Sequence, residues 1–419
     1  MSVLSFMERL LDGVAVEWKA LGELGELVRG NGLQKKDFTE AGIPAIHYGQ
    51  IYTYYGLSTT ETKSFVSPEL AQKLKKVNTG DVVITNTSEN LADVGKALVY
   101  LGEQQAVTGG HATIFKPNHA ILGKYFAYYT QTTSFANEKR RYAKGTKVID
   151  VSATDMAKIQ LPIPPLNIQT EIIQILDTFT SLTTELTTEL SARKKQYNYY
   201  RDQLLSFDEG EVEWKTLGDV SLKTYSGGTP RAGTPEYYDG GKIPWLRTQE
   251  VKFSDISETE VKITPAALKN SAAKWIPENC VIVAISGATA GRSAINKISL
   301  TTNQHCCCLE IDPDKALYRY VFHWVSFNYE TLKALGQGAR GDLNSNIIKN
   351  FRIPIPSGNS EDSLKEQARI VAILDKFDTL TTSITEGLPR EIKLRQQQYE
   401  YYRDLLLSFP KPEATSNAA

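Results

Sequence analysis

The stretch Ile-Leu-Asp-Thr-Phe at residues 175–179 decides the fold, because it returns as Ile-Leu-Asp-Lys-Phe at residues 373–377. Further blocks recur with it in the same order. They are Val-Glu-Trp-Lys at 16–19 and 212–215, Leu-Pro-Ile-Pro at 161–164 against Ile-Pro-Ile-Pro at 353–356, Tyr-Tyr-Arg-Asp at 199–202 and 401–404, and Ser-Phe at 206–207 and 408–409. Such an ordered set of repeats indicates an internal duplication, so we expect approximate two-fold symmetry.

The repeated blocks lie in two stretches that read as long helices. Apolar residues recur at steps of three and four from Ile172 to Leu204 and again from Ile370 to Leu406, which is typical of an amphipathic or coiled-coil helix. A helix of about 40 residues is about 60 Å long, so the two copies are expected to pack as an antiparallel pair. Proline-rich chain marks the entry to each helix. Gly387 and Pro389 predict a kink or break in the second helix that the first one lacks.

Within the first helix, the tetrapeptide Thr-Thr-Glu-Leu occurs twice in succession, at residues 183–186 and 187–190. One copy adds about 6 Å, slightly more than one helical turn. The tandem repeat is either ordinary drift of a coiled-coil pattern or a spacer whose length changes when a whole tetrapeptide is added or removed.

The chain is therefore divided into shared and variable segments. We predict an N-terminal shared segment at 1–19, a first variable segment at 20–160, a shared helical spacer at 161–216, a second variable segment at 217–352 and a C-terminal shared spacer and tail at 353–419. The variable segments read as mixed α/β with short strands, among them 82–84 and 281–283. The predicted fold class is α+β, with two such α/β units joined by two long antiparallel coiled-coil helices in a pseudo-two-fold repeat.

Composition and charge exclude several classes of protein. Hydrophobic residues make up 41% and charged residues 23%, which is ordinary for a folded soluble protein. No apolar run approaches the ~20 residues that span a bilayer, and Cys280 with Cys306, Cys307 and Cys308 suggests no disulfide framework, so a cytoplasmic location is expected. The net charge of the chain is −1, but each variable segment holds 16 basic and 13 acidic residues, which weakly favours a polyanionic partner there.

No catalytic constellation emerges from the sequence. Residues 287–293, Gly-Ala-Thr-Ala-Gly-Arg-Ser, resemble a phosphate-binding loop but are one residue short and have Arg in place of Lys. Adjacent residues of a strand point to opposite faces, so His305 and the three cysteines after it favour a half-buried strand over a zinc site. The Glu-x-Lys spacing at Glu17 and Glu213 lacks a partner carboxylate. We therefore expect neither an active site nor a bound metal or cofactor in this chain.

Long hydrogen-bonding side chains in the variable segments are candidates for reading DNA bases. The basic stretch at 139–145 is one candidate region, although a solvated helix end fits it equally well. In the second variable segment, Arg247 and Gln249 could share one exposed strand face beside a buried Trp245. The predicted DNA contacts are Lys139, Arg140, Arg141, Lys144, Thr229, Arg231, Arg247, Gln249, Arg292, Asn303, Gln304 and Arg340.

Taken together, the repeated motifs resemble those of the DNA-specificity subunits of type I restriction-modification systems, in particular the type IC group. The resemblance covers essentially the whole chain and includes Gly-Gly-Thr-Pro at 227–230, followed by Gly-Lys-Ile-Pro-Trp at 241–245. It implies that two target-recognition domains each read one half of a split DNA site, while the tetrapeptide copy number goes with the gap between the halves.

The resemblance also implies partners. Two modification subunits would carry S-adenosylmethionine and methylate adenine at N6, and two motor-nuclease restriction subunits would use ATP and Mg²⁺, so the specificity chain itself is not an enzyme. The shared helices are the implied docking surface, through Phe179, Leu186, Leu190, Tyr200, Arg201, Phe377, Leu380, Tyr402 and Arg403. The alternative is a symmetric coiled-coil adaptor that joins proteins without binding DNA, which the neutral total charge would suit.

Overall fold

The computed structural model describes residues 13–14, 16–338, 341–383 and 385–411, and their contacts divide them into two units. Unit 1 comprises the described residues up to 186 together with 391–411, and unit 2 comprises 187–390. Each unit thus contains one variable segment and helical residues from both copies of the repeat.

Unit 1 holds thirteen named strands and five short helices within the described residues, and the long helix that follows them begins in unit 1 and ends in unit 2. The strands are β1 (Glu17–Ala20), β2 (Gly25–Arg29), β3 (Ile43–Ile46), β4 (Ser58–Thr59), β5 (Ser64–Val66), β6 (Lys75–Val77), β7 (Val82–Thr85), β8 (Thr87–Ser88), β9 (Ala97–Tyr100), β10 (Ala106–Thr108), β11 (Ala112–Pro117), β12 (Ile149–Asp150) and β13 (Gln160–Ile163). The helices are α1 (Tyr48–Thr53), α2 (Pro68–Lys73), α3 (Gly123–Tyr129), α4 (Thr133–Tyr142), α5 (Ala153–Met156) and the long α6 (Leu166–Leu204). Short 3-10 turns lie at Leu21–Glu23 and Lys35–Asp37.

The variable segment of unit 1 is built on two sheets. A five-stranded sheet has the order β2-β11-β7-β9-β4, and a four-stranded sheet has the order β5-β3-β10-β6. Strand β7 is buried on both faces, as its apolar sequence predicts: Val82 and Ile84 pack in a core with α3, while Val83 packs in a second core with Ile46 of the other sheet. Helix and sheet thus cover opposite faces of this strand.

The remaining elements belong to the second copy of the pattern. The strands are β14 (Val212–Thr216), β15 (Ser221–Tyr225), β16 (Ile243–Leu246), β17 (Asp255–Ile256), β18 (Val261–Ile263), β19 (Val281–Ala284), β20 (Ser293–Asn296), β21 (Thr301–Thr302), β22 (Cys306–Ile311) and β23 (Arg352–Pro356). The helices are α7 (Pro235–Tyr238), α8 (Pro265–Lys269), α9 (Tyr318–Phe327), α10 (Tyr329–Ala334), α11 (Ser345–Asn350), α12 (Ser360–Thr382) and α13 (Gly387–Leu406), with 3-10 turns at Thr248–Glu250 and Gly287–Thr289.

The two variable segments share one topology although their sequences differ. The five-stranded sheet of unit 2 has the order β15-β22-β19-β20-β17, and its three-stranded sheet has the order β18-β16-β21. In both units the last strand of the large sheet pairs in parallel, β4 with β9 and β17 with β20. A parallel pair also lies in each small sheet, β10 with β3 and β21 with β16. These matches make the two large sheets equivalent strand by strand, and they make β5, β3 and β10 of the small sheet in unit 1 equivalent to β18, β16 and β21, whereas β6 has no counterpart in the three-stranded sheet.

Strand β22 carries the three adjacent cysteines and corrects one expectation. Cys307 packs in one core and Cys306 and Cys308 in another, so the side chains alternate as predicted. The strand is not half-buried, however: all three cysteines are fully buried, because the strand lies inside the sheet between β15 and β19.

The long helices follow the sequence pattern closely. Helix α6 runs for 39 residues without interruption, and the division between the units falls after Leu186, between the two Thr-Thr-Glu-Leu copies. The second stretch is two helices, because α12 ends at Thr382 and α13 begins at Gly387. Gly387 has φ +79°, and a Cβ there would lie 2.4 Å from the Thr379 carbonyl oxygen. This confirms the predicted break. Among the described helices, none combines the length and hydropathy needed to cross a membrane.

Helical residues from the two copies pack antiparallel within each unit. In unit 1 the Phe179 and Tyr402 rings stack with centroids 5.3 Å apart, and Leu176 shares a core with Leu406. In unit 2 the Tyr200 ring stacks on Phe377 at 5.6 Å. The two packed helices therefore run in opposite directions, since residue numbers rise along one helix where they fall along the other.

The shared frame holds each variable segment by the same three contacts. First, a buried glutamine side chain accepts the backbone N–H at the start of a helix, Gln169 from Leu122 and Gln367 from Leu317, both at 2.9 Å. Second, the hydroxyl of Tyr125 donates to the Pro162 carbonyl at 3.0 Å, as Tyr320 does to Pro354 at 2.8 Å.

The third contact uses the aspartate of each Ile-Leu-Asp block. Asp177 accepts from Lys124 at 2.7 Å and from Tyr128 at 2.6 Å. Asp375 lies 2.6 Å from Arg319 Nε and from His323 Nε2, and Arg319 also binds Asp255 at 3.1 Å. Asp177 therefore joins helix α3 of the first variable segment to a shared helix, and Asp375 does the same for helix α9 of the second. This explains why the Ile-Leu-Asp block is repeated.

Candidate nucleic-acid interface

In unit 2, the predicted contact residues gather at one end of the sheets. Thr229 Oγ1 donates to Gln304 Oε1 at 2.6 Å, and Gln304 Nε2 lies 3.1 Å from His305 Nε2. The Asn303 backbone N–H donates to the Leu246 carbonyl at 3.2 Å, which brings the loop before β22 beside Arg247. The structure therefore joins three separate stretches of sequence into one polar surface.

A pair of glycines allows the loop after β15 to lie on this surface. A Cβ at Gly227 would lie 1.8 Å from the Thr302 carbonyl oxygen, and one at Gly228 would lie 2.6 Å from Ala272 Cβ. The Trp245 indole is buried and donates to the Gly228 carbonyl at 3.1 Å. The Gly-Gly-Thr-Pro and Trp motifs thus act together, since they position Thr229 beside Gln304.

The sequence suggested that Arg247 and Gln249 could share one exposed strand face. The structure shows that they do not. Strand β16 ends at Leu246, and Arg247 caps the 3-10 turn Thr248–Glu250, because its backbone N–H donates to Glu250 Oε1 at 3.0 Å. Its guanidinium pairs with Glu260 and lies 3.7 Å from Glu250. The two side chains still lie together: with the Gln249 amide oxygen turned toward it, Arg247 Nη2 is 2.8 Å away.

Two further candidates of unit 2, Arg292 and Arg231, lie near the same edge. Arg292 directly precedes β20, whose first residue Ser293 pairs with the end of β19, and it is half-buried. Arg231 is exposed two residues after Thr229, and no ion pair engages it among the described residues. Arg340 lies outside the described residues.

In unit 1, the basic stretch at 139–144 divides into different environments. Lys139 is 5% exposed, and its amino group donates to the backbone carbonyls of Ala92 and Val94. Burial lowers the pKa of this amine to about 8. Arg140 and Arg141 are exposed, and Lys144 lies 2.9 Å from Asp155. Lys139 is therefore a packing residue of α4 and does not present its charge to a ligand.

Unit 1 carries other polar residues at the end of the sheets that corresponds to the surface in unit 2. His47 follows β3 as Arg247 follows β16, and His111 precedes β11 as His305 precedes β22. Tyr48 lies between the two imidazoles, with ring centroids 4.6 Å from His47 and 4.8 Å from His111. We did not predict these residues, because they are isolated in the sequence and only the strand pairing brings them together.

The helical residues predicted to bind partners pack largely against each other. Phe179 with Tyr402 and Tyr200 with Phe377 form the two stacked pairs, and the guanidinium groups of Arg201 and Arg403 lie over Tyr197 and Tyr399. Leu186, Leu190 and Leu380 are half-buried. The neighbouring tyrosines of the two Tyr-Tyr-Arg-Asp blocks are more accessible, with Tyr199 62% and Tyr401 55% exposed, while Tyr200 is 41% exposed despite its stacking.

A shallow groove adjoins one of these exposed tyrosines on α13 and the turn after it. Its lining residues are Gln397, Glu400, Tyr401, Asp404, Leu405 and Ser408. It combines an aromatic ring with two carboxylates, so it suits a protein surface with basic and apolar groups better than an anionic ligand.

The cysteines offer no reactive thiol or metal ligand set. Burial raises the pKa of the Cys307 thiol to about 11 and that of Cys280 to about 12. Within the described part of the chain, no cluster of three or more His, Cys, Asp or Glu side chains is placed to hold a metal ion.

Comparison with known proteins gives concordant results. Residues 14–194 and 209–394 match the family described as type I restriction modification DNA specificity domain. The chain is 39% identical over 432 residues to the EcoR124I/EcoR124II specificity subunit of Escherichia coli, with 100% of each chain covered. It is 30% identical to the putative type I specificity subunit S.HindORF215P of Haemophilus influenzae, covering 97% of this chain and 98% of that one.

The fold is similar to that of a solved structure, the S subunit of a type I restriction-modification system from M. genitalium. The TM-score is 0.58 at 14% sequence identity, with 96% of this chain and 98% of that chain covered. This similarity supports the two-domain α+β architecture independently of sequence identity.

Proposed function

Because the chain belongs to the type I restriction-modification DNA specificity family, we propose that it reads a split, asymmetric DNA site, with each variable segment binding one half. The observation that carries this proposal is the presence of two structurally equivalent units with different polar side chains at equivalent positions. Equivalent folds would approach DNA in equivalent ways, and unlike side chains would select unlike bases. We place the two target-recognition domains at 20–160 and 217–352.

In unit 2, the proposed readers are Thr229, Arg231, Arg247, Gln249, Asn303 and Gln304, with Arg292 at the same edge. Amide side chains such as Gln304 suit adenine and guanidinium groups suit guanine. Arg247 would exchange its carboxylate partners for a base, so its contact would cost more to form than that of the exposed Arg231. In unit 1, the proposed contacts are Arg140, Arg141 and Lys144, whose exposed charges suit phosphates.

The chain is a recognition component and not an enzyme, and it works with the other subunits of a type I system and with DNA. We propose two modification subunits and two restriction subunits as its partners, with S-adenosylmethionine bound by the former and ATP and Mg²⁺ by the latter. The exposed Tyr199 and Tyr401, one from each Tyr-Tyr-Arg-Asp block, would offer the two modification subunits the same contact twice. The stacked residues beside them would hold that surface rigid.

The adaptor alternative has no comparable support. Both variable segments match a DNA specificity domain, and an adaptor has little use for two copies of one fold with different polar side chains at equivalent loops.

The experiment is a methylation map. The chain would be expressed with its cognate modification subunit in a host without adenine methylation, and N6-methyladenine would be located across the genome. We expect one split motif with two unlike halves and a fixed gap. A stable purified complex that leaves the genome unmethylated would refute the proposal.

A further inference from the structure

A row of three rings, His47, Tyr48 and His111, occupies the sheet end of unit 1 described above. His111 is exposed, Tyr48 is half-buried and His47 is 8% exposed. The Phe38 ring meets the edge of His47 at 5.6 Å, so the row is supported at the His47 end and open at the His111 end.

The strand register shows that this row corresponds to the polar surface of unit 2. His111 lies one residue before Ala112, which pairs with Thr85, and His305 lies one residue before Cys306, which pairs with Ala284. The residue after each paired strand donates its backbone N–H to the histidine carbonyl, Asn86 to His111 and Ile285 to His305, both at 2.9 Å. His111 and His305 therefore hold the same position in the fold.

A second correspondence concerns the turn after β3 and β16. His47 caps α1, and its backbone N–H lies 3.4 Å from Gln50 Oε1, just as the Arg247 N–H bonds Glu250 Oε1. The next residues, Tyr48 and Thr248, begin the turn in each unit. Where unit 2 places Gln304, unit 1 has Gly110, and where unit 2 places Thr248, unit 1 has the larger Tyr48.

Hydrogen bonds hold the ring row in a defined orientation. The Gly49 N–H donates to His47 Nδ1 at 3.2 Å, and Thr87 Oγ1 lies 3.0 Å from His111 Nδ1. The Tyr52 hydroxyl in turn donates to the Thr87 carbonyl at 2.7 Å. Burial, together with the nearby Lys35 and His111, lowers the pKa of His47, so its ring is neutral at neutral pH and Nδ1 remains free to accept.

Basic groups flank the row. Arg29 Nε donates to the Gly110 carbonyl at 3.1 Å. The hairpin at 144–150 carries the exposed Lys144 and Lys147, and its strand β12 pairs with β8 so that Asp150 lies opposite Thr87. Carboxylates balance part of this charge, since Asp150 lies 3.7 Å from Arg29 and Asp155 lies 2.9 Å from Lys144. Cations around a row of oriented hydrogen-bonding rings match the division of protein–DNA contacts into phosphate and base contacts.

We propose that Tyr48 and His111 are specificity-determining residues for the half-site bound by unit 1, and that His47 is a positioning residue that holds Tyr48. This inference rests on the split-site recognition proposed above. The Tyr48 hydroxyl and the His111 Nε2 edge bond base edges in the major groove, where each base pair presents a distinct pattern of donors and acceptors. The partner is therefore one half of a double-stranded DNA site.

The test uses the full chain in complex with its modification subunits and measures methylation of a DNA library. The library randomises one half-site at a time while the other half keeps its wild-type sequence. The variants are Tyr48→Ala, His111→Ala and the closer replacement His111→Gln. Tyr54→Ala is the matched control, since Tyr54 is a tyrosine of the same unit that is 58% exposed and lies outside the row.

We expect Tyr48→Ala and His111→Ala to reduce discrimination at one base pair or more of one half-site by about tenfold, with the other half-site and the gap unchanged. His111→Gln should alter the preferred base rather than abolish binding. His47→Ala should relax the same half-site, whereas His47→Asn should preserve it, because asparagine retains an acceptor for the Gly49 N–H. Tyr54→Ala should behave as the wild type.

Unaltered preference in both the Tyr48→Ala and His111→Ala complexes would overturn the inference. A wild-type complex that shows no split preference would instead overturn the proposed function, so the two failures are distinguishable. If the alanine variants methylate no sequence at all and their melting temperature is lowered, the row of rings serves folding alone. The His111→Gln variant, which preserves polarity and size, would reveal that result.

Discussion

Arg231 and Arg247 differ in how the protein holds them, and this predicts different consequences of their removal. Arg231 is exposed, whereas Arg247 pairs with Glu250 and Glu260. Arg231→Ala should change recognition of one half-site and leave thermal stability within about 0.5 kcal/mol. Arg247→Ala should change the same half-site and also destabilise unit 2, because two carboxylates lose their partner.

Methylation of half-site libraries and thermal unfolding measure the two effects separately. Both variants should retain assembly with the modification subunits. An assembly defect with wild-type base preference would contradict the assignment of these arginines to DNA.

Lys139 lies in a basic stretch of sequence, which suggested a DNA contact, but its side chain is buried. The Lys139→Met variant should leave both half-sites unchanged and should cost about 1–3 kcal/mol near neutral pH, because the carbonyls of Ala92 and Val94 lose a donor. Burial lowers the pKa of the folded-state amine to about 8 from 10.5. Between about pH 8 and pH 10.5 the unfolded chain binds more protons than the folded chain. The free energy of unfolding of the wild type relative to the variant therefore rises with pH.

Urea unfolding of both proteins at pH 7.5 and at pH 9.5 checks the sign of this effect, which amounts to at most about 1.4 kcal/mol per pH unit. A difference between wild type and variant that stays constant with pH would show that Lys139 has an ordinary pKa.

At the scale of elements, the contact between the shared aspartates and the variable helices organises each unit. In the Asp375→Asn variant, Arg319 and His323 lose the carboxylate that joins α9 to α12. Burial alone would raise the pKa of Asp375, but the hydrogen bonds from His323 and Arg319 outweigh it and lower the pKa. The carboxylate therefore stabilises the fold above its unfolded pKa, and this contribution is lost as the pH falls.

We expect Asp375→Asn to cost about 1–3 kcal/mol at pH 7 and to speed amide hydrogen exchange in α9. Helix α3 of unit 1 should be unaffected, since Asp177 fastens it separately. Glu361→Gln is the control, because that carboxylate is 79% exposed and pairs with Lys365. Equal exchange rates in α9 of the wild type and the Asp375 variant would refute the role of this contact.

At the scale of the whole molecule, the tandem tetrapeptide is the feature with a distinct prediction. Deleting residues 187–190 shortens α6 by about 6 Å at the division between the units. We expect the methylated motif to retain both halves and to lose about one or two base pairs of gap, given about 3.4 Å per base pair. Replacing the same four residues by alanine preserves the length and should preserve the gap. An unaltered gap after the deletion would leave the repeat as ordinary coiled-coil sequence.

Much of the architecture follows from local pattern in the sequence. The apolar spacing of the helices, the proline-rich entries and the break at Gly387 can each be recognised in a short stretch of sequence, and the duplicated blocks are recognised by comparing two such stretches. A helix repeats every 3.6 residues, so its buried face can be read from a short window. The family resemblance drawn from those blocks was confirmed by the comparison with known proteins.

Only the tertiary structure decided which polar residues lie together. His47 and His111 are joined by strands paired across more than 60 residues, and Lys139 became buried because α4 packs over the loop that contains Ala92 and Val94. The turn at Arg247 likewise depends on Glu250 and Glu260. Pairing between distant strands leaves no periodic trace in either strand alone, so the sequence by itself determined the frame and the fold determined the candidate interface.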